Sequence, residues 1–420
     1  MNPNFNLDEA QQMLALSYAA DLLGPKSNGK GGTVTMKPTS DPGNPLPNDD
    51  GKHYPYPQNA QNTNKIWPAG WAPGTPYLDK TNPWGPSIMQ ADPKNIPPIL
   101  ADLKIGANNV LFAKNNGSYV IAFAGTENLI GAVDDVSFVS VNAGPLKLTY
   151  NNVTFYESPA SYIINPDYYN QGSDVTPKVI QPMMHFGFRV AVEQYTVKAA
   201  TNASYNLINA MKSAFNGQSS VNLYITGHSL GAAMAGVFTA WLQAGGLAPW
   251  LPNVKLNIKT YTFASPKWAN DALAENFDNG ITKNGYFHRV VNNLDSVPQI
   301  PPTWESAADL NNPAMVKALL PKLPDVLNPV INWASKYLGA TPSFNYMHVG
   351  STYVVQGTFP VVFTGTNFPS QLFPGGTPAN SKVLDDTTKS WWQHWPFVYY
   401  WALMQNNPLG TPAPAQATAN

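Results

Sequence analysis

Apolar and polar positions along the chain alternate between short strand-like runs and longer helix-like stretches. The run from Val221 to Thr226 leads into a glycine-rich turn, and an alanine-rich, helix-favouring stretch follows it to residue 244. Further apolar runs at 259–265 and 287–292 flank a polar segment near 269–277, which we expect to be an exposed helix. Strands that alternate with helices indicate a mostly parallel sheet with helices on both faces. The pattern therefore predicts an α/β fold.

The segments outside this core also have apolar patterns that predict helices and strands. Residues 7–23 are predicted to form an amphipathic helix, and residues 108–126 a hairpin whose Asn-Asn-Gly sequence suits a type I′ turn. One long helix is predicted over 186–214. Late strands are predicted at 349–356 and 360–365. A final aromatic helix is predicted at 395–404, with its proline in the first turn, where proline is tolerated.

The abundance of proline and glycine divides the chain into regions. There are 40 Pro and 31 Gly, and proline is well above its usual share of ~5%. We predict an N-terminal helix and a long wrap over 1–105, packed on the core. The α/β domain then occupies 106–405, with insertions at 127–182 and 303–340, and 406–420 form a disordered tail. The second insertion is either a helical excursion packed on the core or a cap-like insertion with an apolar underside.

Composition excludes several classes of function. Charged residues make up 12% of the 420 residues and the net charge is −1, so there is no electrostatic basis for binding nucleic acid. The absence of cysteine excludes disulfides, thiolate metal sites and cysteine catalysis. Polar residues and proline interrupt the uncharged stretch Ser213–Val254, which favours a buried strand and helix over a transmembrane segment. No metal or cofactor is expected.

The glycine-rich turn reads Gly227-His228-Ser229-Leu230-Gly231 and carries the first candidate for chemistry. A side chain at either glycine would crowd a turn tight enough to expose the serine. The start of the following helix supplies unpaired N–H groups, which suit a developing oxyanion. Strand, sharp turn and helix are the context that a nucleophilic serine of this pattern requires. We therefore predict Ser229 as a nucleophile and the Leu230 N–H as an oxyanion donor.

A serine hydroxyl needs a base, and the base needs a carboxylate that orients it. In an open parallel sheet these groups meet at the carboxyl ends of the strands. Asp295 directly follows the predicted strand 287–292, which makes it the candidate acid. Ile121–Thr126 is another strand end, so Thr126 is the candidate for the second oxyanion donor.

Six histidines compete for the role of base. His53 lies in the proline-rich wrap, and His185 precedes the elbow, as we call the glycine-rich turn 227–231, so the order Ser, Asp, His disfavours it. His228 lies inside the elbow and is too constrained to turn back on Ser229, and His288 begins its strand at the wrong end of the sheet. The remaining two are His348, which precedes a strand, and His394, which follows the last strands. Chain order and topology favour His394, with His348 as the alternative base.

Several of these motifs together resemble the fungal-type (class 3) triacylglycerol lipases of the α/β-hydrolase superfamily. The matching segments are Phe123-Ala124-Gly125-Thr126, Met184-His185-Phe186-Gly187-Phe188, the Gly-His-Ser-Leu-Gly turn, Thr262–Pro266, Arg289–Pro298, Met347-His348-Val349-Gly350, and His394 followed by Tyr399. The resemblance assigns structural roles to His185 and His348 and supports His394 as the base. Ala124 departs from the basic residue usual before the oxyanion glycine.

The resemblance implies a lipid or other ester substrate, bound where lipid meets water and cleaved through an acyl-serine. It places a lid at 127–140, with 303–340 as a rival or second flap. A phospholipase A1 or a soluble carboxylesterase of the same family is the alternative. A lipase-like binding module without turnover, or a serine peptidase or thioesterase on this scaffold, is less favoured. Secretion fits the resemblance, but no signal peptide is visible, so a cytoplasmic location is the alternative.

Overall fold

The computed structural model describes the parts of the chain that form the sheet, its flanking helices and the candidate site. The described residues are 1–23, 26–27, 33–34, 72–73, 88–90, 109–125, 140–150, 153–167, 181–196, 207–295, 297–299, 346–356, 393–394 and 396–404. The predicted lid at 127–140 lies outside them except for residue 140, and the predicted insertion at 303–340, the strand at 360–365 and the tail at 406–420 lie outside them altogether. The division into regions stays a prediction.

The described elements alternate along the chain much as the pattern predicts. The strands are β1 (Lys26–Ser27), β2 (Thr33–Val34), β3 (Ala72–Pro73), β4 (Ile88–Gln90), β5 (Asn109–Asn115), β6 (Ser118–Phe123), β7 (Ser140–Asn142), β8 (Leu146–Tyr150), β9 (Val153–Ser158), β10 (Met183–His185), β11 (Ser220–His228), β12 (Lys255–Phe263), β13 (Ala269–Asn270), β14 (Phe287–Asn292), β15 (Tyr346–Met347) and β16 (Ser351–Val355). The helices are α1 (Leu7–Leu23), α2 (Phe186–Thr196), α3 (Leu207–Phe215), α4 (Leu230–Gln243), α5 (Asp271–Gly280) and α6 (Pro396–Met404).

One large sheet organises the molecule, in the order β16-β14-β12-β11-β6-β5-β3, with β4 also paired to β5. The five strands from β16 to β6 are parallel to one another, and β5, β3 and β4 extend the sheet in antiparallel pairing. A parallel sheet ends all its strands in the same direction, so β11, β12 and β14 deliver their carboxyl ends to one edge. The strand order thus confirms the predicted α/β fold with a mostly parallel sheet.

The predicted hairpin is also confirmed. Strands β5 and β6 pair from Val110 with Phe123 to Asn115 with Ser118. Both turn residues take positive φ angles, 44° at Asn116 and 80° at Gly117. Such angles are those of a type I′ turn, in which asparagine and glycine are favoured.

Helix α1 differs from the amphipathic helix that its sequence suggests. From Ala10 onwards most of its described side chains are buried, including Ser17 and Tyr18. The helix lies between the sheet and α6, in an apolar cluster that also contains Leu111, Phe263 and Tyr399. A helix enclosed on several sides has no solvent face, so its alanines and leucines need not form a single stripe.

Helices α2, α3, α4 and α5 contribute to a second apolar cluster, and inward side chains of the sheet join it. Helices therefore cover both faces, as predicted. Helices α2 and α3 occupy the two ends of the single helix predicted over 186–214, and residues 197–206 lie outside the described residues, so its continuity stays a prediction.

Helix α5 is less exposed than its polar sequence suggests. It buries Ala272, Leu273 and Phe277, and its N-cap residue Asn270 accepts a hydrogen bond from the Leu273 N–H. Asp278 accepts hydrogen bonds from the Thr282 hydroxyl and the Gly350 N–H, 2.8 Å away for the latter. The prediction of an exposed helix was wrong because Leu273 and Phe277 pack in the apolar core, and this packing depends on residues distant in the chain.

Candidate active site

The turn between β11 and α4 holds Ser229 in a backbone conformation that few residues adopt. Its φ is 58° and its ψ −129°, and it serves as the N-cap of α4. A Cβ atom at Gly227 would lie 2.1 Å from the Gly231 carbonyl oxygen, and one at Gly231 would lie 2.3 Å from the Phe123 carbonyl oxygen. Both positions therefore exclude any side chain, and the close backbone packing at the two glycines holds the serine in its strained conformation.

The start of α4 offers a candidate donor for an oxyanion. Leu230 is the first residue of that helix, so its N–H has no acceptor one turn earlier. Gly125 lies next to the elbow, since a Cβ built there would be 3.4 Å from the Ser229 Cβ. Thr126, the predicted second donor, follows directly but lies outside the described residues, so its role stays a prediction.

Asp295 lies on the turn that follows β14, as the sequence predicts. Its N–H donates to the Asn292 carbonyl over 3.0 Å, and its Oδ1 accepts from the Val297 N–H over 2.9 Å. Its Oδ2 accepts from the Tyr399 hydroxyl over 2.7 Å and from His394 Nδ1 over 2.9 Å. Three hydrogen bonds fix the carboxylate and one fixes the backbone of this residue, which is 2% exposed.

His394 is the histidine that the structure brings to this carboxylate. Its ring is buried, and a carboxylate acceptor requires the hydrogen on Nδ1 in the neutral form. The other nitrogen, Nε2, then has a lone pair that can accept a proton. The tautomer is the one that a general base for a serine hydroxyl needs.

His394 and Ser229 are connected through the residue that precedes the serine. The rings of His228 and His394 lie 4.8 Å apart between centroids, and His228 Nε2 lies 2.7 Å from the His394 carbonyl oxygen. The Ser229 hydroxyl is buried and has no hydrogen-bond partner within the described part of the chain. The nucleophile, base and acid candidates therefore meet at one edge of the sheet.

His348, the alternative base, lies elsewhere. It lines a cleft with Lys267, Arg289, Trp268 and Thr262. Desolvation and the charges of Arg289 and Lys267 hold the pKa of His348 well below its ordinary value. No contact with Asp295 is among the interactions of the described residues, and two cationic neighbours disfavour the imidazolium that a base must become.

The remaining described histidines are placed as expected from the sequence. His185 ends β10 and stacks on Phe188 at 4.2 Å between ring centroids, and burial lowers its pKa to about 3. His288 begins β14 and contacts the Pro3 carbonyl at 3.0 Å, and burial lowers its pKa to about 4. Neither ring contacts Asp295.

Two roles at the site were missed in the sequence. Asn292 ends β14 and its Nδ2 donates to the Gln393 carbonyl over 2.9 Å and to Gln393 Oε1 over 2.8 Å. His228, weighed in the sequence only as a base, contacts the His394 carbonyl oxygen through its Nε2. The sequence signal that could have identified both residues is their position, because each is a polar residue at the end of a strand, β11 or β14, at the edge where the site lies.

The described residues contain no group of three or more His, Cys, Asp or Glu side chains arranged to hold a metal ion. Among the described helices, none has both the length and the apolar character that a bilayer span requires.

Comparison with known proteins finds similarity over part of the chain. Residues 165–304 match the model of the family "Lipase (class 3)". That segment contains Ser229 and Asp295 but ends before His394. A curated relative, the secreted mono- and diacylglycerol lipase 1 of Fusarium solani, is 30% identical over 135 residues. The match covers 32% of this chain, which spans about a third (34%) of the relative's length.

Solved lipase structures resemble the chain more loosely. The M37 lipase has a TM-score of 0.46 and 15% identity, covering 78% of this chain and 82% of that one. The lipase from Rhizopus microsporus var. chinensis has a TM-score of 0.30 and 19% identity, covering 59% and 57%. The fold therefore rests on the strand order, and the sequence match shows that residues 165–304 are similar to the class 3 lipase family.

Proposed function

We propose that the protein hydrolyses carboxylic esters of lipids through an acyl-serine intermediate. One arrangement carries the proposal. His394 Nδ1 lies 2.9 Å from Asp295 Oδ2, and the carbonyl oxygen of the same histidine accepts a hydrogen bond from His228, the residue before Ser229. An activated serine requires this order of nucleophile, base and orienting carboxylate. No metal or cofactor takes part in the proposed reaction.

In the first half of the reaction, Nε2 of His394 takes the proton of the Ser229 hydroxyl while its oxygen attacks the ester carbonyl. Asp295 stabilises the imidazolium that forms, and it stays ionised. The Leu230 N–H and a donor at Thr126 hold the negative oxygen of the tetrahedral intermediate. The imidazolium then protonates the leaving alcohol oxygen as the C–O bond of the ester breaks.

In the second half, water replaces the alcohol. Nε2 of His394 takes a proton from water as the oxygen attacks the acyl carbonyl of Ser229. The second tetrahedral intermediate collapses, the serine oxygen leaves and regains its proton from the imidazolium, and the carboxylic acid departs. Each proton taken by His394 is returned, so the enzyme ends in its starting state.

Two facts support lipid esters as the substrate class. The elbow and the acid lie in a class 3 lipase segment, and the Fusarium solani relative of that segment is by its name a mono- and diacylglycerol lipase. The low charge of the chain agrees with an apolar substrate surface. A phospholipase A1 or a soluble carboxylesterase uses the same catalytic groups with a different acyl or head-group pocket, so it remains the second candidate.

The experiment is hydrolysis of p-nitrophenyl esters with acyl chains of two to eighteen carbons, below and above substrate aggregation. Ser229→Ala is the matched control, because it removes only the hydroxyl oxygen. The lipid-ester proposal predicts activity that depends on Ser229, is greatest with long chains and increases when the substrate aggregates. Activity confined to short chains would favour the carboxylesterase, and no Ser229-dependent activity at any length would overturn the proposal.

A further inference from the structure

The main chain at the candidate base is attached to two different strands through two consecutive carbonyl groups. The Gln393 carbonyl accepts from Asn292 Nδ2 over 2.9 Å, and the His394 carbonyl lies 2.7 Å from His228 Nε2. Asn292 is the last residue of β14, the strand before Asp295. His228 is the last residue of β11, the strand before Ser229.

These two strands are not neighbours, because β12 lies between them in the sheet. Strands are spaced by about 4.8 Å, so the ends of β11 and β14 are roughly 10 Å apart. Residues 393–394 bridge that distance over the end of β12, whose last carbonyl, at Phe263, accepts from the Ser229 N–H over 2.9 Å. The attachment therefore connects the base to the nucleophile strand and to the acid strand at the same time.

The chemistry of the His228 contact is unambiguous in direction. A carbonyl oxygen can only accept, so His228 Nε2 carries the hydrogen and donates. Burial and the neighbouring His394 hold the pKa of His228 well below its ordinary value, so the ring stays neutral. His228 therefore acts as a fixed donor and takes no part in proton transfer.

Asn292 makes a wider set of contacts with the same parts of the site. Its Oδ1 accepts from the Leu294 N–H over 3.0 Å, its carbonyl accepts from the Asp295 N–H, and its N–H donates to the Tyr399 hydroxyl over 3.0 Å. The residue is fully buried. One asparagine thus fixes the acid turn and the chain before the base.

We infer that His228 and Asn292 are positioning residues, which fasten the main chain of residues 393–394 to the strand ends that carry the nucleophile and the acid. The inference rests on the proposed ester hydrolysis. Side-chain contact with Asp295 fixes the orientation of the imidazole, whereas these two carbonyl contacts fix its distance from Ser229. A displacement of about 1 Å at a reacting group can reduce a rate ~100-fold, so the distance matters as much as the orientation.

The test compares three substitutions at His228, of which one keeps the hydrogen-bond donor in place, one moves it and one removes it. The amide nitrogen of glutamine lies where Nε2 of histidine does, and that of asparagine falls about one bond short. His228→Gln is expected to keep kcat within about 3-fold of the wild type, whereas His228→Asn and His228→Phe lose about 100-fold with little change in KM. Asn292→Asp, which removes the Nδ2 donor, is expected to lose kcat similarly.

Rates are expressed per active site, titrated with a p-nitrophenyl phosphonate, so that misfolded protein does not count. His185→Asn is the matched control, because it makes the same change at another buried histidine and is expected to leave kcat per site unchanged. Equal kcat per site in the Gln, Asn and Phe variants of His228 would overturn the inference.

A second measurement does not depend on turnover. NMR of protein with ¹⁵N-labelled histidine should show the hydrogen of His228 on Nε2 across the neutral pH range, and an Nδ1-protonated His228 would overturn the inference even if no substrate were found. Absence of Ser229-dependent hydrolysis in the wild type would instead overturn the proposed function. The two failures are therefore distinguishable.

Discussion

His394 Nδ1 lies 2.9 Å from Asp295 Oδ2, although 99 positions separate the two residues in the chain. The contact depends on the sheet, because β14 carries Asp295 to the carboxyl edge and α6 begins directly after the histidine segment. Tyr399 on α6 reaches back to the same carboxylate oxygen. Asp295 is thus held by the turn after its own strand and by the helix that follows His394.

Tyr399→Phe is expected to lower kcat/KM about 10-fold, equivalent to ~1.4 kcal/mol, because the carboxylate loses a hydrogen bond from a neutral donor and orients the imidazole less firmly. Steady-state kinetics on a p-nitrophenyl ester measure this loss. Tyr353→Phe removes a hydroxyl from a ring that stacks on Phe5, and is the matched control. Equal rates in both variants would show that the Tyr399 contact has no influence on the acid.

The strained backbone at Ser229 predicts that a glycine at this position gives a more stable protein than an alanine. Ser229→Gly and Ser229→Ala both remove the nucleophile, but only glycine adopts φ 58° and ψ −129° without steric cost. The glycine variant is expected to have a free energy of unfolding about 1 kcal/mol higher than the alanine variant. Urea denaturation of the two variants measures the difference, and a less stable glycine variant would contradict strain at this turn.

Glu9 in α1 is the carboxylate that contacts Lys259, whose side chain is buried in β12. Its carboxylate also accepts hydrogen bonds from Tyr224 over 2.9 Å and Tyr261 over 2.8 Å. Glu9→Gln is expected to lower the free energy of unfolding by about 2 kcal/mol, because a buried ammonium loses its counter-charge. The exposed pair Lys147–Glu157 offers the control, and Glu157→Gln should cost less than about 0.5 kcal/mol.

The pH dependence of this contribution follows from the direction of the shift. Burial raises the pKa of Glu9, but its hydrogen bonds from Lys259, Tyr261 and Tyr224 outweigh burial and leave the pKa below its ordinary value. Stabilisation is therefore present above the unfolded-state pKa of about 4.5 and lost as the pH falls through the folded-state value. The Glu9→Gln variant should approach the wild type in stability at low pH, and a constant difference down to pH 2 would contradict the assignment.

Buried histidines predict a separate loss of stability at mildly acid pH. Burial lowers the pKa of His185 to about 3 and that of His288 to about 4, so both are neutral in the folded protein where the unfolded chain is protonated. Between about pH 6.5 and 4 each histidine lowers the free energy of unfolding by ~1.4 kcal/mol per pH unit as the pH falls. His185→Gln should reduce the slope by that amount. An unchanged slope would show that His185 titrates normally.

Local signals in the sequence were sufficient for several parts of the structure. The Asn-Gly turn gives the β5–β6 hairpin, the glycines of the elbow admit only a sharp turn, and Pro396 begins α6 where its missing N–H has no consequence. Asp295 could be predicted because an acid directly after a parallel strand lies at the functional edge.

Contacts between residues that are far apart in the chain could not be predicted from the sequence in the same way. The all-round burial of α1 depends on α6, which is nearly four hundred residues away in the chain. That His228 and Asn292 hold residues 393–394 can be inferred only once the strand order is known. The choice of His394 over His348 needed chain order and the family resemblance, since both histidines stand near strands and neither has a local signature of a base.

The measurement that tests the account most directly is covalent labelling with a fluorophosphonate, read by intact mass and peptide mapping. We expect one adduct per chain on Ser229 in the wild type and in His348→Asn, and almost none in His394→Ala, each protein being checked for folding by circular dichroism. The reason is that the serine reacts only when a base removes its proton. Labelling at another residue, or labelling of His394→Ala at the wild-type rate, would contradict the assignment of Ser229 and His394.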